Sequence, residues 1–388
     1  MAEPVARITP KGAARARSGH PWIFRADVVE PPGAATGELV RVTDLRGNLI
    51  GRAYWAVQSP IALRLVARLD EPAGDDVLSA RFAAAVERRR RLMPGRDAYR
   101  AVHAEADGLP GVFVDVYGDC AAVQTHSEAA SVRDALWVEL AQRHCGARTV
   151  VLRNDTSARD FEKLPRFTRL AAGGPEAIAR YHEGASVFEV DLLADQKTGG
   201  YLDQVDNHVR AGELARGEAL DAFAYHGGFA LALARRATSV TAFDIDPLAV
   251  ERVKANAARN GLGNVVAEQR NAFDALHELD KSGRKFATIV VDPPALAKRA
   301  SGVEGASRAY FDLNLRAMRC LEPGGLLVTC SCSGKMTPDL FVGVLREAAA
   351  DAHRQIQIFE KRGAGADHPG LVSVPELEYL KAWFCFVL

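Results

Sequence analysis

The sequence of 388 residues is poor in cysteine and has no long apolar run. Its six cysteines stand at positions 120, 145, 320, 330, 332 and 385 and form no C-x-x-C pair, so neither a metal site nor a disulfide framework is predicted. We therefore expect a reducing, cytoplasmic setting. No apolar stretch approaches the roughly 18 residues of a membrane span, and the N-terminus lacks the apolar segment of a signal peptide, so no membrane partner is expected.

Net charge is also missing, because 49 Lys and Arg residues are balanced by 49 Asp and Glu residues. This balance excludes a strongly basic nucleic-acid binder overall, but residues 1–70 hold ten basic and six acidic side chains. We expect that local excess to bind RNA without regard to base sequence. The length predicts two or three domains, and 48% hydrophobic with 25% charged residues is typical of a globular protein.

The stretch from Leu220 to Asp246 has the pattern of a strand, a glycine turn, a helix, a second strand and an acid. Gly227 and Gly228 let the backbone pass close to a ligand, and the helix that follows presents free N–H groups to it. Asp244, at the end of the second strand, can accept both hydroxyls of a ribose. The stretch therefore predicts an adenosyl ligand.

The dinucleotide fingerprint G-x-G-x-x-G is absent from this turn. A pyrophosphate needs the additional glycine contacts, whereas the methionine end of S-adenosylmethionine does not, so the pattern favours S-adenosylmethionine. The alternative is a structural βαβ unit that binds no ligand.

Further strands continue the alternation. The run Phe286–Val291 is typical of a central parallel strand covered on both faces, and Asp292-Pro293-Pro294-Ala295 follows it; the run Leu326–Thr329 ends in Cys330-Ser331-Cys332-Ser333. Ligands of open parallel sheets gather at the carboxyl ends of the strands. We therefore expect these two segments to share one crevice with the glycine turn and Asp244. The last strand, residues 379–387, is predicted to be antiparallel.

The N-terminal part predicts two smaller units. Residues 1 to about 70 have short β-prone segments separated by glycine and proline, which predicts an all-β barrel. A helix over residues 79–93, hairpins over 99–124, a helix over 131–144 and a strand at 149–152 predict a central α+β unit.

Four separated segments resemble those of one family in the same order: SGHPWIF at 18–24, QKTGGYLDQ at 196–204, DAFAYHGGF at 221–229 and SCS around Cys332. They resemble the PUA-domain bacterial 23S rRNA (cytosine-C5) methyltransferases, the large-subunit methyltransferase I family. The resemblance implies an α/β protein with a PUA-like RNA-binding β-barrel at 1–72 and a central α+β domain at 73–185. A class I, Rossmann-like methyltransferase domain with a seven-stranded, mostly parallel sheet would occupy 186–388.

The same resemblance implies S-adenosylmethionine as the cofactor, 23S rRNA or a large-subunit precursor as the partner, and a homodimer. It implies cofactor contacts from Thr198, Gly199, Asp221, Phe223, Tyr225, Gly227, Gly228, Phe229, Asp244, Ile245, Asn271, Ala272, Phe273 and Asp292. It implies substrate contacts from Lys197, Tyr201, Asp203, Gln204, Pro293 and Pro294. Gly200 and Val205 depart from the family pattern, which commonly has a bulkier residue and an arginine there.

The reaction that the resemblance implies requires activation of the C5 carbon of cytosine. The C5 carbon of cytosine is a poor nucleophile, and addition of a thiolate to C6 activates it. Cys332 matches the cysteine of the family's S-C-S motif, whereas Cys330 is interpreted as strand packing. Asp292 would hydrogen-bond N3 or the amino group of the cytosine. The sequence does not identify the base that removes the C5 proton.

Two alternatives remain open at this point. The Asp292-Pro293-Pro294-Ala295 tetrad also resembles that of amino-group methyltransferases, in which case Cys332 would be dispensable. The other alternative is a non-catalytic RNA-binding protein that keeps the cofactor fold as a scaffold.

Overall fold

The computed structural model describes residues 3–297 and 300–388. The chain divides into two compact units. The first contains the chain up to Tyr181 together with Glu189–Gly200 and Ala366–Leu377, and the second contains His182–Phe188, Tyr201–Gly365 and Glu378–Leu388.

The first unit begins with a sheet of largely antiparallel strands in the order β2-β6-β5-β4-β1-β3. Its elements are β1 Val5–Ile8, α1 Pro10–Arg17, β2 Trp22–Ile23, β3 Val28–Glu30, β4 Leu39–Asp44, β5 Leu49–Trp55 and β6 Leu63–Arg68. Helix α1 corrects the all-β expectation. The side chain of Thr9 caps it by accepting from the N–H of Gly12, and Pro10 occupies its first turn, a combination that starts a helix even in a short segment.

A second sheet in this unit has the order β11-β10-β9-β8-β7. The elements are α2 Asp75–Leu92, β7 Ala98–His103, β8 Val112–Tyr117, β9 Cys120–Thr125, α3 Glu128–Ser131, α4 Asp134–Leu140, β10 Thr149–Asn154, α5 Ala158–Phe161 and β11 Phe167–Ala172. Strands β12 Ile178–Glu183 and β13 Ser186–Asp191 form a separate two-stranded sheet. The core of the second sheet packs Phe82 of α2 and Trp137 of α4 against the strands. The single helix expected over 131–144 is divided, because Ser127 caps an earlier start at Glu128 by accepting from the N–H of Ala130. A π-helical turn at Ala141–Cys145 then ends α4.

The second unit is an α/β domain around a sheet of seven strands in the described part of the chain, in the order β16-β15-β14-β17-β18-β20-β19. The elements are α6 Val205–Leu214, β14 Glu218–Asp221, α7 Gly228–Ala234, β15 Ser239–Asp244, α8 Pro247–Arg259, β16 Val265–Gln269, α9 Ala272–Ser282, β17 Phe286–Val291, α10 Val303–Cys320, β18 Leu321–Ser331, α11 Pro338–Asp351, β19 Ile356–Arg362 and β20 Lys381–Val387. Strand β20 runs antiparallel to both of its neighbours. The expected Rossmann-like fold with a mostly parallel sheet is confirmed.

The topology brings the functional segments to one edge of this sheet. Strands β15, β14, β17 and β18 are adjacent and parallel, so their carboxyl ends face the same way. Every residue of β17 is buried, as expected for a central strand covered on both faces. Because β20 is antiparallel to β18, it is the beginning of β20 that lies at this edge. Among the described residues, no helix is long and apolar enough to cross a membrane.

Candidate active site

Asp244 ends β15 with its carboxylate held by the backbone. Its Oδ2 accepts from the N–H of Tyr225 at 2.8 Å and its Oδ1 from the N–H of Asp246 at 2.9 Å. A carboxylate offers about four acceptor positions, so the two backbone bonds fix its orientation and leave capacity for the two hydroxyls of a ribose. The geometry is compatible with the role predicted from the sequence.

The turn between β14 and α7 is tightly packed on its inner side. Gly227 has a φ of +97°, in the left-handed region that favours glycine. A Cβ on Gly228 would lie 2.2 Å from Cε1 of His208. The missing side chain at Gly228 therefore makes room for an imidazole of the protein itself, a packing reason that the sequence pattern did not reveal.

That imidazole belongs to a buried cluster that sequence reasoning missed. Nδ1 of His208 lies 2.7 Å from a carboxylate oxygen of Glu183, and Nε2 of His226 lies 3.6 Å from the other. Burial alone would raise the pKa of Glu183, but the two histidines outweigh burial and hold it well below its usual range. Burial lowers the pKa of His208, and Glu183 more than reverses this effect, so the net shift is upward. Through His226, the cluster holds the turn between β14 and α7, here called the cofactor turn, against the segment around Glu183.

Asp221, the last residue of β14, is fully buried, and its Oδ2 has no hydrogen-bond partner in the protein. Its Oδ1 accepts a long bond of 3.4 Å from the N–H of Phe223. Burial raises the pKa of Asp221 to about 7, and the charge of Asp292 adds to this effect. A buried carboxylate with an unsatisfied oxygen costs stability unless something pairs with it. Asp221 is therefore suited to a cationic ligand group.

Asp292, directly after β17, is held by a chain of side-chain amides. Nε2 of Gln204 donates to Oδ2 of Asp292 at 2.9 Å, and Nδ2 of Asn207 donates to Oε1 of Gln204 at 2.6 Å. Asp203 is likewise buried and accepts from the hydroxyl of Tyr379 at 2.6 Å. Gln204 and Asp203 are thus both buried and hydrogen-bonded within the protein, and the substrate contacts predicted for them stay a prediction.

The two cysteines near the end of β18 have different surroundings. Cys330 is fully buried, and burial raises the pKa of its thiol well above the ordinary value. Cys332 follows the strand and is partly exposed, with its Sγ 3.8 Å from the carbonyl oxygen of Pro293. Pro293 is buried and Pro294 exposed. The structure thus brings Cys332 beside the segment that follows β17.

Lys381 was not predicted from the sequence. It begins β20 opposite Ser331 of β18 and is 7% exposed. Its Nζ donates to the carbonyl oxygens of Ser333 at 2.8 Å and Tyr379 at 2.7 Å. Burial lowers its pKa to about 8, opposed by the charge of Cys332. No local sequence motif marks this lysine, because only the antiparallel pairing of β20 places it beside Cys332.

Tyr201 interacts both with predicted cofactor residues and with the predicted nucleophile. Its ring meets that of Tyr225 edge-on, with centroids 4.9 Å apart. Burial raises the pKa of its hydroxyl far above the ordinary value, and the charges of Asp292, Asp203, Cys332 and Asp244 add to this effect. Tyr201 therefore lies within electrostatic reach of the predicted cofactor residues and the predicted nucleophile.

Further predicted cofactor residues of the second unit follow β15 and β16. Asn271 caps α9 by accepting from the N–H of Phe273 at 2.9 Å, and Ala272 is buried behind it. Ile245 is 66% exposed directly after Asp244, where an apolar side chain can cover a planar ring. Phe229 instead is buried, with its ring 4.5 Å from that of His208, so it packs inside the protein.

The predicted residues Lys197, Thr198 and Gly199 belong to the first unit. Lys197 is exposed, whereas Thr198 is buried and its hydroxyl donates to Asp115 at 2.7 Å. That hydroxyl thus already has a structural partner. Gly200 has a packing reason for its departure from the family pattern, since a Cβ there would lie 2.8 Å from the hydroxyl oxygen of Tyr181.

Comparisons with known proteins identify two domain families and close relatives. Residues 6–68 match the PUA-like domain family, and residues 168–378 match the S-adenosylmethionine-dependent methyltransferase family. The ribosomal RNA large subunit methyltransferase I of Erwinia tasmaniensis is 35% identical over 95% of this chain and 96% of its own. The protein of the same name from Photobacterium profundum is 36% identical, covering 96% of each chain.

This chain belongs to the ribosomal RNA large subunit methyltransferase I family. Solved structures support the fold: a SAM-dependent methyltransferase from Streptococcus mutans has a TM-score of 0.81 at 18% identity and covers 99% of this chain and 100% of its own. A methyltransferase complexed with S-adenosylhomocysteine has a TM-score of 0.82 at the same identity and coverage.

The family members are S-adenosylmethionine-dependent methyltransferases, and S-adenosylmethionine is the cofactor of this protein. The residues present fit it, because the unsatisfied oxygen of Asp221 suits the ammonium group of its methionine end and Asp244 suits its ribose. Among the described residues, no group of three or more His, Cys, Asp and Glu could hold a metal ion.

Proposed function

We propose that this methyltransferase forms 5-methylcytidine in 23S rRNA through a covalent adduct between Cys332 and C6 of the target cytosine. The observation that carries the proposal is the position of Cys332. It is a partly exposed thiol just beyond the carboxyl end of β18, beside Pro293 and within electrostatic reach of Tyr201 and Lys381. The relatives are named ribosomal RNA large subunit methyltransferase I, which supports ribosomal RNA of the large subunit as the substrate.

In the proposed mechanism the Cys332 thiolate adds to C6, forming an S–C6 bond and making C5 nucleophilic. The bound cofactor supplies the methyl group from its sulfonium. Asp292, oriented by Gln204, hydrogen-bonds the amino group or N3 of the cytosine and favours the adduct. A base then takes the C5 proton, the C5–H electron pair re-forms the C5–C6 double bond, and the S–C6 bond breaks, which releases the methylated base and the thiolate.

Pro293 and Pro294 have no N–H groups, and their rings form a rigid wall. An enzyme that modifies a base in folded RNA must take it out of its stack. We propose that this wall receives the extruded cytosine and that Tyr201, whose ring contacts that of Tyr225, lines the other side. Cys330 has no part in this mechanism, because a fully buried thiol with a raised pKa cannot supply a thiolate.

The N-terminal sheet is proposed to supply RNA affinity. Several of its basic side chains are already held in ion pairs: Arg7 with Glu30, Arg15 with Asp27, Arg17 with Asp44 and Arg52 with Glu3. Lys11 and Arg46 are exposed. We therefore assign phosphate contacts to residues such as these two rather than to the whole basic excess. We further propose a cytoplasmic location, a homodimer, and the three-domain division at residues 72 and 185.

Methylation of rRNA transcripts with radiolabelled S-adenosylmethionine, followed by nucleoside analysis, tests the proposal. We expect 5-methylcytidine from the wild type and none from Cys332→Ala, with Cys330→Ala as the matched control that retains activity. A label on the exocyclic nitrogen, with full activity in Cys332→Ala, would favour the amino-group alternative.

A further inference from the structure

The turn that carries Cys332 is tied to the first residue of β20. Ser331 is paired with Lys381 across the two strands, and the Lys381 ammonium donates to the carbonyl oxygen of Ser333, one residue beyond Cys332. Its second bond goes to the carbonyl oxygen of Tyr379, on the segment that leads into β20. The lysine therefore holds the backbone at Ser333, just after the predicted nucleophile, and the backbone at Tyr379, just before its own strand.

Two features suggest more than a structural tie. Lys381 is buried as a whole residue, and burial of a lysine is costly for a charge that only links two carbonyl groups. The lysine also contacts both residues that flank Cys332, because it is paired with Ser331 and donates to Ser333. The charge of Cys332 acts to raise the pKa of Lys381, against the effect of burial.

Other titratable groups also interact with Cys332. Tyr201, Tyr310 of α10 and Cys330 of β18 each interact electrostatically with Cys332, and Asp292 acts on the same three side chains. The two tyrosine hydroxyls and the Cys330 thiol carry no positive charge, and Asp292 is negative, so none of these groups can act as a cation beside a thiolate. Lys381 is positively charged and donates to the carbonyl oxygen of Ser333, the residue that follows Cys332.

We propose that Lys381 is a positioning residue whose ammonium group stabilises the thiolate of Cys332 and fixes the turn that presents it. The Cys332 thiol loses its proton to solvent, and the thiolate is then paired with the Lys381 cation. When the thiolate adds to C6 of cytosine its charge moves to the base, and when the S–C6 bond breaks the charge returns beside the lysine. Lys381 keeps its proton throughout. The use of the thiolate on cytosine rests on the proposed function, but the ionisation itself does not.

The test measures the ionisation of Cys332 without RNA. The rate of Cys332 alkylation by iodoacetamide is followed from pH 6 to 10 by tandem mass spectrometry, which separates Cys332 from Cys330 in the same peptide. In the wild type we expect the midpoint of the profile below about 8.5, the ordinary value for a free thiol. In Lys381→Gln, which keeps a donor and removes the charge, the midpoint should rise by about one pH unit or more.

Lys381→Arg keeps the cation and should restore the low midpoint. Lys361→Gln is the matched control, because Lys361 is an exposed lysine on the neighbouring strand with its Nζ over the ring of Trp383; its profile should equal that of the wild type. A wild-type midpoint at or above about 8.5 would overturn the proposal, and that measurement needs no variant to fold. An unchanged midpoint in a folded Lys381→Gln would overturn it too. Full methylation by Cys332→Ala would instead refute the proposed function and leave the alkylation result standing.

Discussion

Substitution of Gly228 by alanine is expected to destabilise the second unit, because the added methyl group would collide with His208, which lies 20 positions earlier in the sequence. An ideal Cβ at Gly228 would be 2.2 Å from Cε1, 2.6 Å from Nδ1 and 2.7 Å from Nε2 of His208. No such contact is tolerated, so either the backbone of α7 or the imidazole must move. The imidazole is buried and its Nδ1 is 2.7 Å from the Glu183 carboxylate, which leaves it little freedom.

The magnitude depends on which of the two moves. If the helix shifts, overpacking costs about 1–3 kcal/mol. If the ring moves, the buried pair with Glu183 is broken, which costs about 3–5 kcal/mol. We therefore expect a loss of about 3 kcal/mol in the free energy of unfolding, a large part of the roughly 5–15 kcal/mol typical of a domain. Since Gly228 also begins the helix of the cofactor turn, affinity for S-adenosylmethionine should fall with it.

Urea unfolding, with native-state hydrogen exchange over α6 and α7 to report this unit by itself, measures the effect. Gly343→Ala in α11 is the matched control, because nothing lies within 4 Å of a Cβ there; alanine should stabilise that helix by about 0.5–1 kcal/mol. In a His208→Ala background the cost of Gly228→Ala should fall by about 2 kcal/mol. A Gly228→Ala protein as stable as the Gly343→Ala control would refute this reasoning.

Three further predictions concern the ligands. Asp244→Ala should weaken S-adenosylmethionine binding about tenfold or more, because two ribose hydroxyls lose their acceptor; calorimetry that shows undiminished affinity would remove Asp244 from the site. Burial raises the pKa of Asp221 to about 7, so below that pH much of the free protein carries the neutral carboxyl; a cationic ligand lowers this pKa, and cofactor binding should release protons at pH 6.5 but not at pH 8.5. Calorimetry in buffers of different ionisation enthalpy detects this release, and its persistence in Asp221→Asn would assign it to another group. Lys11→Gln combined with Arg46→Gln should weaken rRNA binding and reduce the salt dependence by about one unit per lost phosphate contact, with cofactor affinity unchanged; an unaltered salt slope would place the RNA elsewhere.

Much of the methyltransferase domain could be predicted from local patterns. Phe286–Val291 matches β17 residue for residue, since a fully buried parallel strand is apolar throughout. The caps Asp246-Pro247 and Thr337-Pro338 mark helix starts that the structure contains. These signals depend on residues that are neighbours in the sequence, and the sequence alone can therefore predict them.

The parts that were missed depend on contacts between distant segments. Glu183 reaches His208 and Lys381 reaches Ser333 only after the sheet has assembled, and neither pair forms a spaced motif. The same holds for the reason that Gly200 is a glycine, since Tyr181 occupies the space its side chain would need. The hydrogen bond from Gln204 to Asp292 was likewise not predicted, because it joins residues 88 positions apart.

The most direct test of the central claim is covalent trapping on rRNA that contains 5-fluorocytosine. In 5-fluorocytosine a fluorine replaces the C5 proton whose removal releases the enzyme, so an adduct formed through C6 remains on the protein. With S-adenosylmethionine present, the wild type and Cys330→Ala should give a covalent protein–RNA species that survives denaturing electrophoresis. Cys332→Ala should give none while still binding the cofactor. A trapped species in Cys332→Ala, or none in a wild type that methylates unmodified rRNA, would contradict the assignment of Cys332 as the nucleophile.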